Sequence, residues 1–178
     1  MPEPEIWYII LALASACLEL QKFELYHGDI QPGNILITND EEIKLIDAPA
    51  FTQFKDGWSR VANKENWASA LSPQQLEDLR NDRDEMTADR EKSDVYSIGI
   101  TVLCAVSNNP LSSFYNYGLY EVIDSKIGEK LELMEHLGYS IELRSEIAKC
   151  IRVAEKERPT FQQLVDLITP YCQQHDLH

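Results

Sequence analysis

Eleven consecutive residues, His27-Gly28-Asp29-Ile30-Gln31-Pro32-Gly33-Asn34-Ile35-Leu36-Ile37, constrain this chain more than any other stretch. They place an imidazole, a carboxylate and an amide close together, with a Pro-Gly pair between the acid and the amide. Such a pair makes a tight turn, and the strand-like Ile-Leu-Ile run follows at once. A second apolar run, Ile43-Lys44-Leu45-Ile46, ends on another acid, Asp47. Buried loops of this kind must have every backbone N–H and C=O satisfied, so the chain must also carry the groups that hold them.

Hydrophobic spacing marks the helices. Residues 5–25 read as a helix opened by Pro4, with Ile6, Ile9, Ile10, Leu13, Cys17 and Leu20 on one stripe. Leu11 and Leu18 lie off that stripe, so the helix is apolar nearly all round and needs burial on most sides. A short helix is expected at 74–80. Charges alternate from Asn81 to Lys92, which reads as a solvated loop or frayed helix. From Ser93 through Val106 the pattern is apolar on every face, as befits a core axis. Helical patterns follow at 115–135 and 141–153. The last helix opens at Thr160, whose spacing to Gln163 suits a capping box, and Pro170 is expected to stop it.

The first stretch resembles the catalytic loop of eukaryotic protein kinases, whose pattern runs His-Arg-Asp-Leu-x-x-x-Asn before a short strand. Three further landmarks follow in the same order. Ile43 to Asp47 resembles the strand that delivers the metal-binding acid of Asp-Phe-Gly. Leu71-Ser72-Pro73-Gln74 looks like Ala-Pro-Glu with an amide for the acid, and Ser93-Asp94-Val95-Tyr96-Ser97-Ile98-Gly99 is similar to Asp-Val-Trp-Ser-x-Gly. The resemblance implies a mainly α fold with a small β-hairpin, the C-terminal lobe (C-lobe) of a kinase without its N-lobe, as one domain over 1–178. It places strands at 35–37 and 43–46, joined by a turn at Asn39-Asp40, and an activation-segment-like stretch at 47–74.

The same resemblance assigns roles. Asp29 stands where the catalytic base would be, and Asn34 and Asp47 where Mg²⁺ ligands would be. Asp94 would bond the catalytic-loop backbone from below and His27 would pack into the core. Several positions depart from the family. Gly28 replaces an arginine that senses activation-loop phosphorylation, Gln31 a phosphate-neutralising lysine, and Ala48-Pro49 the Phe-Gly pair. Trp67 lies loosely where a threonine would meet substrate and base. Arg158 would pair with the glutamate of Ala-Pro-Glu, but here it faces Gln74. An uncompensated buried guanidinium would cost about 3–5 kcal/mol. Either Gln74 accepts a hydrogen bond or Glu77 or Asp78 has moved in.

Composition narrows the partners. The net charge of −14 argues against nucleic acid and anionic membranes and is compatible with a basic protein partner. Cys17, Cys104, Cys150 and Cys172 are far apart without metal-ligand spacing, which suits buried thiols in a reducing, intracellular setting, cytoplasmic or cytoskeleton-associated. The apolar run Ile6 to Leu18 is too short to span a bilayer, which takes about 20 residues, and an acidic start does not suit a signal peptide.

Together these readings lead to the expectation of a non-enzyme: a pseudokinase C-lobe serving as a protein–protein interaction module, with no cofactor, metal or nucleotide. The Asp29, Asn34 and Asp47 side chains would then be structural remnants that hold the loop's own turns. Alternatives are a constitutive subunit of a large cytoskeletal or organellar assembly, and a half-kinase completed in trans. Trp7, Tyr8, Leu36 and Leu45 are the candidates for a partner-binding face left open by the absent lobe, rimmed by the acidic loop 38–42.

Overall fold

The computed structural model describes residues 1–40, 42–46, 69–83 and 86–177. Helix α1 spans Glu3–Gln21 and opens on Pro2 and Pro4, with Glu3 and Glu5 in its first turn, where acids complement the helix dipole. It stops four residues short of the expected end. Glu24 adopts a left-handed φ of 59°, and the Leu25 N–H then reaches back to Leu20 O at 3.1 Å, a closure that terminates a helix.

A 3-10 turn at Pro32–Asn34 leads into β1 (Ile35–Ile37), which pairs antiparallel with β2 (Ile43–Leu45), Ile35 facing Leu45. Helix α2 (Pro73–Arg80) begins with a capping box between Ser72 and Gln75. Buried Asp78 then ties down the following loop, accepting from Thr87 N at 2.7 Å, Thr87 Oγ1 at 2.6 Å, Ala88 N at 3.0 Å and Arg83 Nη1 at 2.8 Å. Over its described residues the charged run is therefore a fastened loop as far as Asp89, and Arg90 to Lys92 open the next helix.

Helix α3 (Arg90–Ser107) is capped by Asp89, and every residue from Ser93 to Cys104 is buried. Against it pack α1, α4 (Asp124–His136) and α5 (Ile141–Cys150), and α6 (Phe161–Gln174) packs in turn on α1. Fully buried Leu13, Ile98, Ile147, Phe161 and Ile168 belong to this one core, each contributing about 1.5–3 kcal/mol by leaving water. The fold is mainly helical with two small hairpins.

Further expectations of helix extent are corrected, among them that of 141–153, since α5 ends at Cys150. Residues 115–122 form a second hairpin, β3 (Tyr115–Asn116) with β4 (Glu121–Val122), and Tyr120 sits at a left-handed φ of 53°, which no helix tolerates. Pro170 does not stop α6 but lies inside it. Beyond it Tyr171 packs on Trp7 with ring centroids 5.4 Å apart and Cys172 is buried, so tertiary packing outweighs the one backbone bond that proline removes. Among the described residues no helix is long and apolar enough to cross a membrane.

Gly99 marks the closest approach of α3 to α5. A Cβ built there would lie 2.5 Å from Ile151 Cγ2 and 3.0 Å from Cys150 Cβ. Gly99→Ala should therefore destabilise the fold by about 1–3 kcal/mol, overpacking outweighing the helix-propensity gain. Urea denaturation measures this, and Ile151→Ala in the same chain should recover part of the loss.

Candidate functional site

The polar loop is suspended from α3. His27 N and Gly28 N donate to the two oxygens of Asp94, each at 2.8 Å. Gly28 adopts φ 77°, a conformation glycine reaches without steric cost. The His27 ring bridges the loop to the hairpin: its Nδ1 accepts from Asp29 N at 3.2 Å, so the proton on Nε2 goes to Ile46 O at 3.1 Å. Asp94 thus bonds the loop backbone, and His27 is itself buried.

Asp29 is buried and held on both oxygens. Gln31 Nε2 donates to each at 3.0 Å, Asn34 Nδ2 to Oδ2 at 3.0 Å and Ser69 Oγ to Oδ1 at 2.9 Å. Asn34 Nδ2 also bonds Asp29 O at 2.8 Å, which turns the amide so that its oxygen faces away from the acid. Asp47, Ala48, Pro49 and Trp67 lie outside the described residues, as does Glu41 of the acidic rim. Among the described residues no three His, Cys, Asp or Glu side chains converge as a metal site would require.

Ser69 went unrecognised in the sequence. The hydroxyl that meets Asp29 comes two residues after Trp67, which the resemblance places only loosely at the family's threonine. A second missed signal lay on α3 itself: Ser93, Ser97 and Thr101 recur every four residues along one side of an otherwise apolar helix. Ser97 Oγ donates to Ala70 O at 2.6 Å and Thr101 Oγ1 to Ile30 O at 3.3 Å. Ser93 Oγ meets Ser72 Oγ at 3.1 Å. That stripe carries both the catalytic-loop-like segment and the chain entering α2.

Arg158, 2% exposed, is satisfied without a carboxylate bond. Its Nη2 donates to Gln74 Oε1 at 2.6 Å and Val153 O at 3.1 Å, its Nε to Arg152 O at 2.7 Å and its Nη1 to Lys92 O at 3.1 Å. The guanidinium also stands 4.8 Å above the Tyr96 ring. Burial lowers its pKa, opposed by nearby Tyr96, Glu155 and Asp89. Asp78 is committed to the 83–88 loop, so Gln74 is the answer to the question the sequence left open. Gln74 Nε2 in turn donates to Val153 O at 2.6 Å.

The partner candidates divide. Trp7 is not on an open face: it is 5% exposed, donates to Glu3 Oε1 at 3.1 Å and lies under Tyr171 of α6. The reason is that α6 covers the N-terminal half of α1. Tyr8 and Leu45 are half-buried against the core, and only Leu36, at 50%, stands out into solvent.

Residues 1–168 match the family model described as protein tyrosine and serine/threonine kinase. A membrane-associated tyrosine- and threonine-specific cdc2-inhibitory kinase of Caenorhabditis elegans is 29% identical over 93% of this chain. The dual specificity mitogen-activated protein kinase kinase 7 of Homo sapiens is 24% identical over 93% of the chain. The chain spans 22% and 39% of the lengths of these two relatives. These matches overturn the expectation of a non-enzyme, because the matching family is one of kinases and the relatives are kinases by name. That expectation had leaned on the absence of a small lobe from residues 1–178, which a stretch spanning so little of its relatives cannot support.

Two predictions follow from this geometry. Hydrogen bonds to a charged group contribute about 1.5–3 kcal/mol, so Gln74→Ala should lower stability by that amount in urea denaturation, whereas Glu77→Ala should leave the midpoint unchanged. The second concerns pH. Burial raises the Asp94 carboxyl to about 7 against the pull of the Gly28 and His27 N–H groups, and nearby Asp29 adds to the rise. The native state thus binds this proton more tightly than the unfolded chain, in which it titrates near 3.8. Its contribution is complete below that value and is lost as pH rises through about 7. Between pH 3.8 and about 7 the fold should lose stability, and the slope should be shallower in Asp94→Asn. Parallel profiles for the two proteins would refute the assignment.

Proposed function

The chain belongs to the protein tyrosine and serine/threonine kinase family, and from that premise we propose that the protein transfers a phosphoryl group to a protein hydroxyl, with Asp29 as proton acceptor. The observation that carries this reading is the orientation of Asp29, whose carboxylate is fixed by Gln31, Asn34 and Ser69 at 2.9–3.0 Å.

In the reaction a substrate hydroxyl oxygen forms a bond to the terminal phosphorus of a nucleoside triphosphate. The bond from that phosphorus to the bridging oxygen breaks, and the hydroxyl proton passes to Asp29. Most of the barrier reduction in such transfers comes from positioning and electrostatics. Held on both sides, the carboxylate has one preset direction, which spares reorganisation during the reaction. Asn34 and Asp47 are oxygen donors of the kind that hard divalent cations take, and the Asn34 amide is already turned with its oxygen away from Asp29. Magnesium bound there would neutralise phosphate charge. The phosphates also need a cationic grip, and the proposal includes its supply in cis or in trans.

The test uses the full-length protein with ATP, Mg²⁺ and a mixture of protein substrates. Asp29→Asn should cut labelling by about 10²-fold or more, the usual contribution of a positioned general base. Equal labelling by the two proteins, both folded by circular dichroism, would refute the reading.

A further inference from the structure

On the side of the molecule formed by α2 and the second hairpin lies a half-open groove of about 530 Å³. Its apolar surface comes from half-buried Val122 on β4 and from Val153, which is 60% exposed, with the core residue Leu76 of α2 buried behind them. Around these stand the exposed carboxylates of Glu77, Glu121 and Asp124. Arg80 is the one cation among the lining residues, and it is already engaged: its Nη2 donates to Tyr120 O at 2.9 Å and Leu119 O at 3.2 Å, with Glu121 at 3.4 Å. That guanidinium closes the wall of the groove by pinning the left-handed turn at Tyr120. Three acids against one committed base leave the groove negative by two charges.

We propose that this groove docks a basic segment of a protein partner, an apolar side chain lying on Val122 and Val153 and flanking lysines or arginines facing Glu77, Glu121 and Asp124. Charge decides the occupant. An acidic segment would meet repulsion both from the rim and from a chain of net charge −14, whereas a basic one would be steered inward and aligned by it. Shape agrees: 530 Å³ falls within the size range of formed ligand clefts, and an apolar floor beneath a charged rim is the usual anatomy of a docking surface. The inference is independent of phosphotransfer, since binding can be read without turnover.

The experiment uses the full-length protein and three fluorescent peptides: one with a central leucine flanked by lysines, one with glutamates for the lysines, and one with serine for the leucine. Anisotropy at low salt should show the first binding roughly tenfold or more tighter than either of the others. High salt should weaken it. Glu77→Lys and Asp124→Lys should each weaken it severalfold, whereas Glu142→Lys, the same charge change on exposed α5 outside the groove, should not. If the three peptides bind alike, or if Glu142→Lys weakens binding as much as Glu77→Lys, the interaction is diffuse attraction to an acidic protein and the groove assignment fails.

Discussion

Two backbone N–H groups ending on one carboxylate decide where everything else in the site can be. His27 and Gly28 present their N–H groups side by side because Gly28 takes a left-handed φ, and Asp94 receives both. For a residue with a Cβ, that conformation costs about 1–2 kcal/mol. Asp94 can be relied on as the anchor because α3 is buried along twelve residues, which leaves the helix no freedom to shift or turn. The order of dependence is therefore packing first, then Asp94, then the loop, and only then the direction of Asp29.

The same helix shows a second way of stabilising a buried charge. Arg158 lies beneath its first turns, and a carboxylate partner would gain Coulomb energy at the cost of removing a second ion from water. The guanidinium instead uses three backbone carbonyls, one amide oxygen and the face of Tyr96. Those carbonyls belong to Lys92, Arg152 and Val153, so a single side chain stitches the start of α3 to the segment between α5 and α6. Gln74 joins both ends of that arrangement, accepting from Arg158 and donating to Val153 O. A glutamate could do only the first of these. The amide is therefore suited to this site rather than a weakened version of the ion pair.

What could be read from the sequence was whatever depended on local order. The spacing of His27, Asp29 and Asn34, the strands after them, the Thr160 capping box and the core helix all rest on neighbours in the chain. What could not be read depended on elements far apart. Trp7 was placed on an open face because the resemblance left that end of α1 without a covering lobe, whereas α6, far away in the chain, covers it. Pro170 looked like a stop because the packing of Tyr171 and Cys172 that carries the helix past it is tertiary. Between these lies the Ser93, Ser97 and Thr101 stripe, which was legible and passed over. Three hydroxyls at intervals of four in a buried helix require acceptors, and those acceptors had to be loops.

Ser69 belongs with that stripe, and together they separate two requirements that kinase sites usually combine. Orientation of Asp29 comes from Gln31, Asn34 and Ser69, and each of these donors is neutral. Gln31 is the telling member, since it reaches both oxygens of the acid, as a bidentate partner would, but brings no charge. These three side chains can fix the direction in which a proton is accepted, and they cannot offset the negative charge of a phosphoryl group beside an acidic chain. For the proposed phosphoryl transfer, positive charge at the site is thus a demand separate from orientation. Among the described residues, what the loop supplies around Asp29 is direction and not charge.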